Sequence, residues 1–261
     1  MNTRLNYSRF RGHFVYDRLQ ATTTMPPTTL AQYYRHLGLA EQSWHIGPEH
    51  PGLELFILRV LGNLAQSRTL EIGVQAGGLA VPLILGAADR PGFSYTGVDS
   101  LEYDNAVPLR LIADYLKQAG VTAPVRFIES DSTTVLRSES PSAYDLIVFD
   151  HYKPKYPIDL HIVLQQGILA AGGVIVLHDV LVAARTDWKV CESVCRAFGY
   201  TWSIDASVLQ GVAVVRRSDR AMSGFHRSLV GLRVRTRWHS HAIAHRERHT
   251  IGNILRAAGL R

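Results

Sequence analysis

The residues best suited to chemistry in this 261-residue chain follow two apolar, β-branched segments, 144–149 and 172–177. They are Asp150, His151, Lys153, His178 and Asp179. Each segment predicts a buried parallel strand. Because open α/β sheets bind ligands outside the carboxyl ends of their strands, we expect the five side chains to converge on one cleft. Carboxylate, imidazole and amine groups in one cleft are those that enzymes use for proton transfer.

The segment 68–80 predicts a strand, a glycine-rich turn and the start of a helix. Glycines let the backbone approach a ligand closely, and a helix N-terminus presents free N–H groups. The candidate binding residues here are Glu71, Gly73, Gln75 and Gly77. Their spacing departs from the Gly-x-Gly-x-x-Gly fingerprint, which disfavours a pyrophosphate cofactor. An acidic strand end suits a cationic ligand such as S-adenosylmethionine; the alternative is a tight strand-to-helix connection without a ligand.

Two further predicted strands also end in polar residues. The strand 93–99 ends in Asp99, where a carboxylate can accept hydrogen bonds from both hydroxyls of a ribose. The strand 125–131 exits at Ser130 and Asp131, which are placed to meet an adenine edge. Each acid taken singly could be only the N-cap of the following helix. Taken together in this order, the strand ends favour the binding of one ligand.

The chain from about residue 48 to residue 217 resembles a class I S-adenosylmethionine-dependent O-methyltransferase. The sequence Asp-His-Tyr-Lys-Pro-Lys-Tyr at 150–156, with Leu-His-Asp at 177–179, most resembles the catechol O-methyltransferase group. The resemblance implies an α/β, Rossmann-like fold with a mostly parallel seven-stranded sheet, helices on both faces and an antiparallel last strand. The segments 200–204 and 209–216 predict the hairpin that closes this sheet.

The same resemblance implies roles for individual residues. The family has an Asp-His-Trp-Lys-x-x-Tyr element in which the Asp binds a divalent metal, the aromatic residue lies against adenine and the Lys is the base. This makes Asp150 a metal ligand that also borders the cofactor, Tyr152 the adenine-facing aromatic residue and Lys153 the base. Asp179 corresponds to the second metal carboxylate. The implied reaction is in-line methyl transfer to a hydroxyl of a small molecule that is catechol-like, phenolic or a sugar, with Mg²⁺ as the metal.

Val180 stands where the family has an asparagine as a third metal ligand. Mg²⁺ prefers six oxygen ligands, and a valine side chain provides none. Waters, substrate oxygens or a bidentate carboxylate could complete the shell. A second interpretation makes His178 a base that works without a metal, since imidazole has a pKa of about 6.5. Lys153 can accept a proton only when it is partly neutral, and burial and a nearby metal cation both lower its pKa.

The length and the 46% hydrophobic content suit one main α/β core. We predict three parts: a helical cover over 1–47, an S-adenosylmethionine-binding domain over 48–217 and a basic extension over 218–261. Trp44 and His45 in the cover are candidates for the acceptor pocket. The sequence shows neither a long apolar run nor an apolar signal core, which predicts a cytoplasmic enzyme without a membrane span.

The C-terminal segment 216–261 is strongly basic. Eleven arginines, no lysine and two acids give it a net charge of +9, whereas the preceding 215 residues hold 17 basic and 20 acidic side chains. It could bind nucleic acid, an anionic membrane or an acidic protein. It could instead form short amphipathic helices that dock on the rest of the protein, and its apolar positions favour this second interpretation. It could also mediate a homodimer. The alternative function is a nucleic-acid methyltransferase or RNA-binding protein, but the Asn/Asp-Pro-Pro-Tyr element of many such methyltransferases is absent after the fourth strand.

Overall fold

The computed structural model describes Tyr33 and residues 52–102, 107–181, 185–208, 210–218, 224 and 227–240. The predictions for Trp44 and His45 lie outside these residues. The boundaries at 47 and 217 stay predictions.

Seven strands form the sheet. They are β1 (Ser67–Ile72), β2 (Phe93–Asp99), β3 (Val125–Glu129), β4 (Tyr144–Phe149), β5 (Leu169–His178), β6 (Tyr200–Asp205) and β7 (Val212–Arg217). Their order is β3-β2-β1-β4-β5-β7-β6. The first five strands pair in parallel, and β7 is antiparallel to both β5 and β6. The predicted, mostly parallel sheet with an antiparallel last strand is confirmed. Strand order reverses between β1 and β4, the position at which doubly wound sheets bind ligands.

Helices cover both faces of this sheet. They are α1 (Leu53–Gly62), α2 (Ala80–Ala87), α3 (Leu109–Gln118), α4 (Ser132–Ser138), α5 (Tyr156–Gln166), α6 (Arg185–Phe198) and α7 (227–240). Leu146 and Val148 of β4 pack with α1, α2 and α3, whereas Ile147 and Phe149 pack with α4, α5 and α6. This alternation follows from the two-residue period of a strand whose two faces are both apolar. Among the described helices, none combines the length and apolar character needed to cross a membrane.

Strand β3 is shorter than predicted. It ends at Glu129, and Asp131 is instead the N-cap of α4, where its side chain accepts a hydrogen bond from Thr134 N at 3.2 Å. An aspartate satisfies the free N–H groups of a first helical turn, so the helix begins where the strand was expected to continue. The predicted closing hairpin is present as β6 and β7.

Helix α7, in the basic extension, packs on α5 and α6. Val234 is 1% exposed within the core cluster of that face. Arg237 Nε donates to Oδ1 of the buried Asp187 at 2.9 Å. At Gly231 an added Cβ would lie 2.7 Å from His161 Nε2, so the glycine permits close approach to α5. This part of the extension is therefore docked on the sheet domain.

Candidate functional site

Four side chains meet at the carboxyl ends of β4 and β5, and we call them the strand-end cluster. They are Asp150, Lys153, His178 and Asp179. Lys153 Nζ lies 3.2 Å from Asp150 Oδ1 and 2.7 Å from Asp179 Oδ2. His178 Nδ1 lies 3.1 Å from Asp150 Oδ1 and 3.3 Å from Asp179 Oδ1. The convergence follows from the fold, because β4 and β5 are parallel neighbours that end at the same level.

Lys153 is a cation held between two anions. Burial lowers the pKa of Lys153, but Tyr156, Asp150 and Asp179 raise it, and the net direction is upward. Burial also lowers the pKa of His178, whereas the same two carboxylates raise it, again with a net upward direction. Lys153 is therefore an ammonium at neutral pH, and it ties the two strand ends together.

Asp150, His178 and Asp179 form a donor set that suits a divalent metal. One ligand atom from each lies within 4.8 Å of the others. Asp179 Oδ1 is buried and accepts no hydrogen bond from the described residues, as expected for a carboxylate oxygen that could take a cation. Val180 is buried and offers no donor, so waters or acceptor oxygens would complete a six-ligand shell. A metal between the carboxylates would take the place of the Lys153 ammonium.

The backbone around Asp179 has a special conformation. Its φ of 60° lies in the left-handed region, which aspartate and asparagine adopt more readily than most residues. The loop that follows is fastened to the turn before β7, because Val180 N donates to Gly211 O at 3.2 Å and Leu181 N donates to Gln210 O at 2.9 Å. The second carboxylate is thus positioned by the β6–β7 hairpin as well as by β5.

His151 does not join the strand-end cluster, so this part of the prediction is wrong. Its Nε2 lies 2.8 Å from Oδ2 of Asp159 on α5. Asp159 is fully buried and also accepts hydrogen bonds from Ser132 Oγ at 2.6 Å and Thr133 Oγ1 at 3.1 Å. A buried carboxylate requires such donors, and His151 supplies one of them. The sequence signal that could have revealed this network is an acid inside the largely apolar segment of α5.

The glycine turn after β1 lies directly beside the cluster. Gly73 has φ 95°, and an added Cβ would lie 2.3 Å from the carbonyl oxygen of Asp150, so only glycine fits. Gly77 has φ 77°, and a Cβ there would lie 2.5 Å from the Tyr33 hydroxyl. That hydroxyl donates to Ala76 O at 2.5 Å. The predicted glycine turn is therefore confirmed, its approach to a ligand stays a prediction, and one residue of the N-terminal segment packs on the turn.

Glu71 lies beneath this turn. It is 1% exposed, and the Tyr95 hydroxyl donates to its Oε2 at 2.6 Å. Burial raises the pKa of Glu71 to about 8, against the opposing hydrogen bond from Tyr95, and the charges of Asp150 and Asp99 contribute to the rise. The carboxyl group is therefore mostly protonated at neutral pH. Its contact with a cationic part of a cofactor stays a prediction.

Asp99 joins the end of β2 to the glycine turn. Gln75 N donates to its Oδ2 and Leu101 N donates to its Oδ1, both at 2.7 Å. Ser130 lies next to it, since the Ser130 N–H donates to the Asp99 carbonyl oxygen at 2.9 Å. The ends of β1, β2 and β3 thus meet at one edge of the sheet. Ribose binding by Asp99 and adenine binding by Ser130 stay predictions.

Asp131 and Tyr152 border the same edge. Besides capping α4, Asp131 forms an ion pair with Lys155 Nζ, which the sequence interpretation missed. Burial raises the pKa of Asp131, but Lys155 and the amides of α4 lower it, with a net downward direction. Lys155 Nζ also lies 5.8 Å from the ring centroid of Trp238 on α7.

Tyr152 is half-buried immediately before the short helical turn Lys153–Lys155. The contacts of Tyr152 and Asp131 with adenine stay predictions.

Comparison with known proteins shows which domains resemble the part of the chain that carries this site. Residues 70–180 match the family model of a methyltransferase domain. Among curated proteins, none matches the sequence significantly. The methyltransferase PaMTH1 from Podospora anserina, solved with S-adenosylhomocysteine bound, is 17% identical, with a TM-score of 0.59 over 84% of this chain and 100% of its own.

Two further solved structures share the fold. A protein from Corynebacterium glutamicum is 18% identical, with a TM-score of 0.57 over 81% of this chain and 100% of its own. A cofactor-bound protein from MTB is 17% identical, with a TM-score of 0.54 over 78% of this chain and 97% of its own. Identities this low establish the fold alone. The sequence match covers the glycine turn, Asp99 and the whole strand-end cluster, so residues 70–180 are similar to a methyltransferase domain and share the fold of PaMTH1.

Proposed function

We propose that the protein transfers the methyl group of S-adenosylmethionine to a hydroxyl group of a small molecule that is catechol-like, phenolic or a sugar. The observation that carries the proposal is the strand-end cluster, which places two carboxylates, an amine and an imidazole beside the glycine turn. A hydroxyl that accepts a methyl group must lose its proton, and the pKa of a phenol is about 10. The reaction therefore needs a proton acceptor and a group that stabilises the developing oxyanion.

In this proposal S-adenosylmethionine lies across the ends of β1, β2 and β3. The residues that would bind it are Glu71, Gly73, Gln75, Gly77, Asp99, Ser130, Asp131, Asp150 and Tyr152. The hydrogen bonding of Asp99 supports a ribose contact. Each of its oxygens accepts a backbone amide from the described residues, yet a carboxylate has about four acceptor positions, so capacity for two hydroxyls remains.

The same proposal has Asp150 and Asp179 hold a divalent metal such as Mg²⁺, with His178 Nδ1 as a further donor. Bound there, the metal would lower the pKa of the acceptor hydroxyl and orient it. The chain fixes the geometry of the site, because neighbouring parallel strands set the separation of the carboxylates and the β6–β7 hairpin holds the loop after Asp179.

Lys153 is the proposed base. In the described contacts the Lys153 ammonium is held by the carboxylates of Asp150 and Asp179. Lys153 can therefore accept a proton only after another cation has taken its place between the carboxylates and lowered its pKa. His178 is the second candidate. Its side chain is fully buried with Nδ1 facing the carboxylates, an arrangement that suits a positioning residue better than one that contacts the acceptor.

The test is methyl transfer followed by mass spectrometry, with a panel of catechols, phenols and sugars, for the wild type and for Asp150→Asn and Asp179→Asn. We expect both variants to lose turnover and to keep their fold, and Mg²⁺ to be required by the wild type. Asp114→Asn, on the exposed side of α3, is the matched control and should keep full activity. A wild type that binds the cofactor but methylates no hydroxyl would contradict the acceptor class, and turnover that survives chelation would contradict the metal.

The nucleic-acid alternative rests on the basic extension. The docking of α7 supports a structural role for that part, because Arg237 is paired with Asp187 inside the protein. An affinity for RNA or DNA that falls steeply with salt would favour the alternative, whereas indifference to polyanions would count against it.

A further inference from the structure

Helix α7 forms one side of a cleft of about 710 Å³, with α4 and α5 forming the other sides; we call it the α7 cleft. Its volume lies in the range of sites that take small organic ligands. None of its described lining residues belongs to the strand-end cluster or to the proposed cofactor site. The methyl transfer proposed above therefore uses none of these residues.

The floor and one wall of the α7 cleft are apolar. Ile158 and Ile162 of α5 are 5% and 6% exposed and line the cleft. Trp238 of α7 also lines it and is only half-buried, which leaves part of its indole ring available to a ligand. A flat ring packed against an indole and two isoleucines would bury apolar surface on both of its faces.

The rim of the α7 cleft is positively charged. Arg137 comes from α4 and Arg235 from α7, and both are exposed. Neither arginine forms an ion pair within the described part of the chain, in contrast to Arg237, two residues after Arg235, and no carboxylate stands among the lining residues that the structure describes. Burial and the charge of Arg235 lower the pKa of His161, which also lines the cleft, so a neutral His161 side chain is favoured there.

We propose that the α7 cleft binds a small aromatic anion, a compound that carries a phosphate or carboxylate group on a flat ring. The ring would pack on Trp238 over the two isoleucines. The anionic group would lie between Arg137 and Arg235, whose guanidinium groups match phosphate and carboxylate geometry.

The experiment is calorimetric titration of the full chain saturated with S-adenosylhomocysteine, which keeps probes out of the cofactor site. The probe is phenyl phosphate, and inorganic phosphate and phenol are the comparison compounds. Phenyl phosphate should bind more tightly than either. Arg137→Gln and Arg235→Gln should each weaken its binding by about tenfold, the usual size of a charge-assisted hydrogen bond. Arg233→Gln removes an exposed arginine of α7 that does not line the cleft, so it is the matched control and should change nothing.

Several outcomes would overturn the proposal. Equal binding of inorganic phosphate and phenyl phosphate, or an equal effect of Arg233→Gln, would show general charge attraction rather than a site. An unchanged affinity of Trp238→Leu for phenyl phosphate would show that the ring does not pack on Trp238. If none of the probes bound, the cleft would not be a binding site. A single-stranded oligonucleotide that binds more tightly than phenyl phosphate, and depends on Arg233 as well, would assign the surface to nucleic acid instead.

Discussion

Glu71→Gln should change how the stability of the protein depends on pH. Burial raises the pKa of Glu71 from its ordinary value of 4.5 to about 8. In the folded protein the carboxyl group keeps a proton that the unfolded chain has already released. Since the unfolded state then binds fewer protons than the folded state, the free energy of unfolding falls as pH rises between these two pKa values.

The size of this effect follows from the two pKa values. Each unit of difference corresponds to about 1.4 kcal/mol, so between about pH 5 and pH 8 Glu71 should remove about 3 kcal/mol of stability. Glutamine keeps an oxygen that can accept the hydrogen bond from Tyr95 and has no proton to release. The variant should therefore lose this part of the pH dependence and be more stable than the wild type near pH 8.

The assay is urea unfolding followed by circular dichroism at a series of pH values. Glu192→Gln is the control, because it removes one carboxyl group from a surface pair with Arg196 on α6. It should follow the wild-type pH dependence. Parallel curves for the wild type and Glu71→Gln would refute the reasoning, since they would show that Glu71 binds no extra proton on folding.

Lys153→Met should raise the affinity for Mn²⁺, measured by calorimetry, by about tenfold or more, because it removes a positive charge that competes for both carboxylates. An affinity equal to that of the wild type would show that no metal enters between them. Gly73→Ala should abolish cofactor binding, since its Cβ would lie 2.3 Å from the Asp150 carbonyl oxygen. Gly120 also has a positive φ, 82°, but a Cβ there would meet nothing within 4 Å. Gly120→Ala should therefore cost only about 1–2 kcal/mol of stability and leave cofactor binding intact. Equal behaviour of the two glycine variants in the binding assay would contradict this account.

The sheet could be predicted from local sequence. Segments 93–99 and 144–149 are rich in aromatic and β-branched residues and bounded by turn residues, and the strands begin and end where these segments do. The end of β3 could not be placed in the same way. Ser130 and Asp131 suit either a strand exit or a helix cap, and only the position of α4 decides between them.

In the candidate site, the sequence predicts the positions of the two carboxylates but not the orientations of His151 and Lys153. A strand end places Asp150 and another places Asp179, and the parallel pairing of β4 with β5 makes them neighbours. The direction of His151 depends on Asp159, a buried carboxylate on another element that needs donors. The bridging position of Lys153 depends on the short turn at Lys153–Lys155, whose geometry no apolar pattern reveals.

The hydrogen bonds between the loop after Asp179 and the turn before β7 affect how the site in this domain can change during evolution. Val180 and Leu181 are held by the carbonyl groups of Gly211 and Gln210, in the connection between β6 and β7 about thirty residues further along the chain. Connections between strands tolerate insertions and deletions more readily than the strands do. A change of length in this turn would therefore move a carboxylate at the strand end without altering any residue of the motif. Two descendants of this domain with identical motifs could then hold their two strand-end carboxylates at different separations.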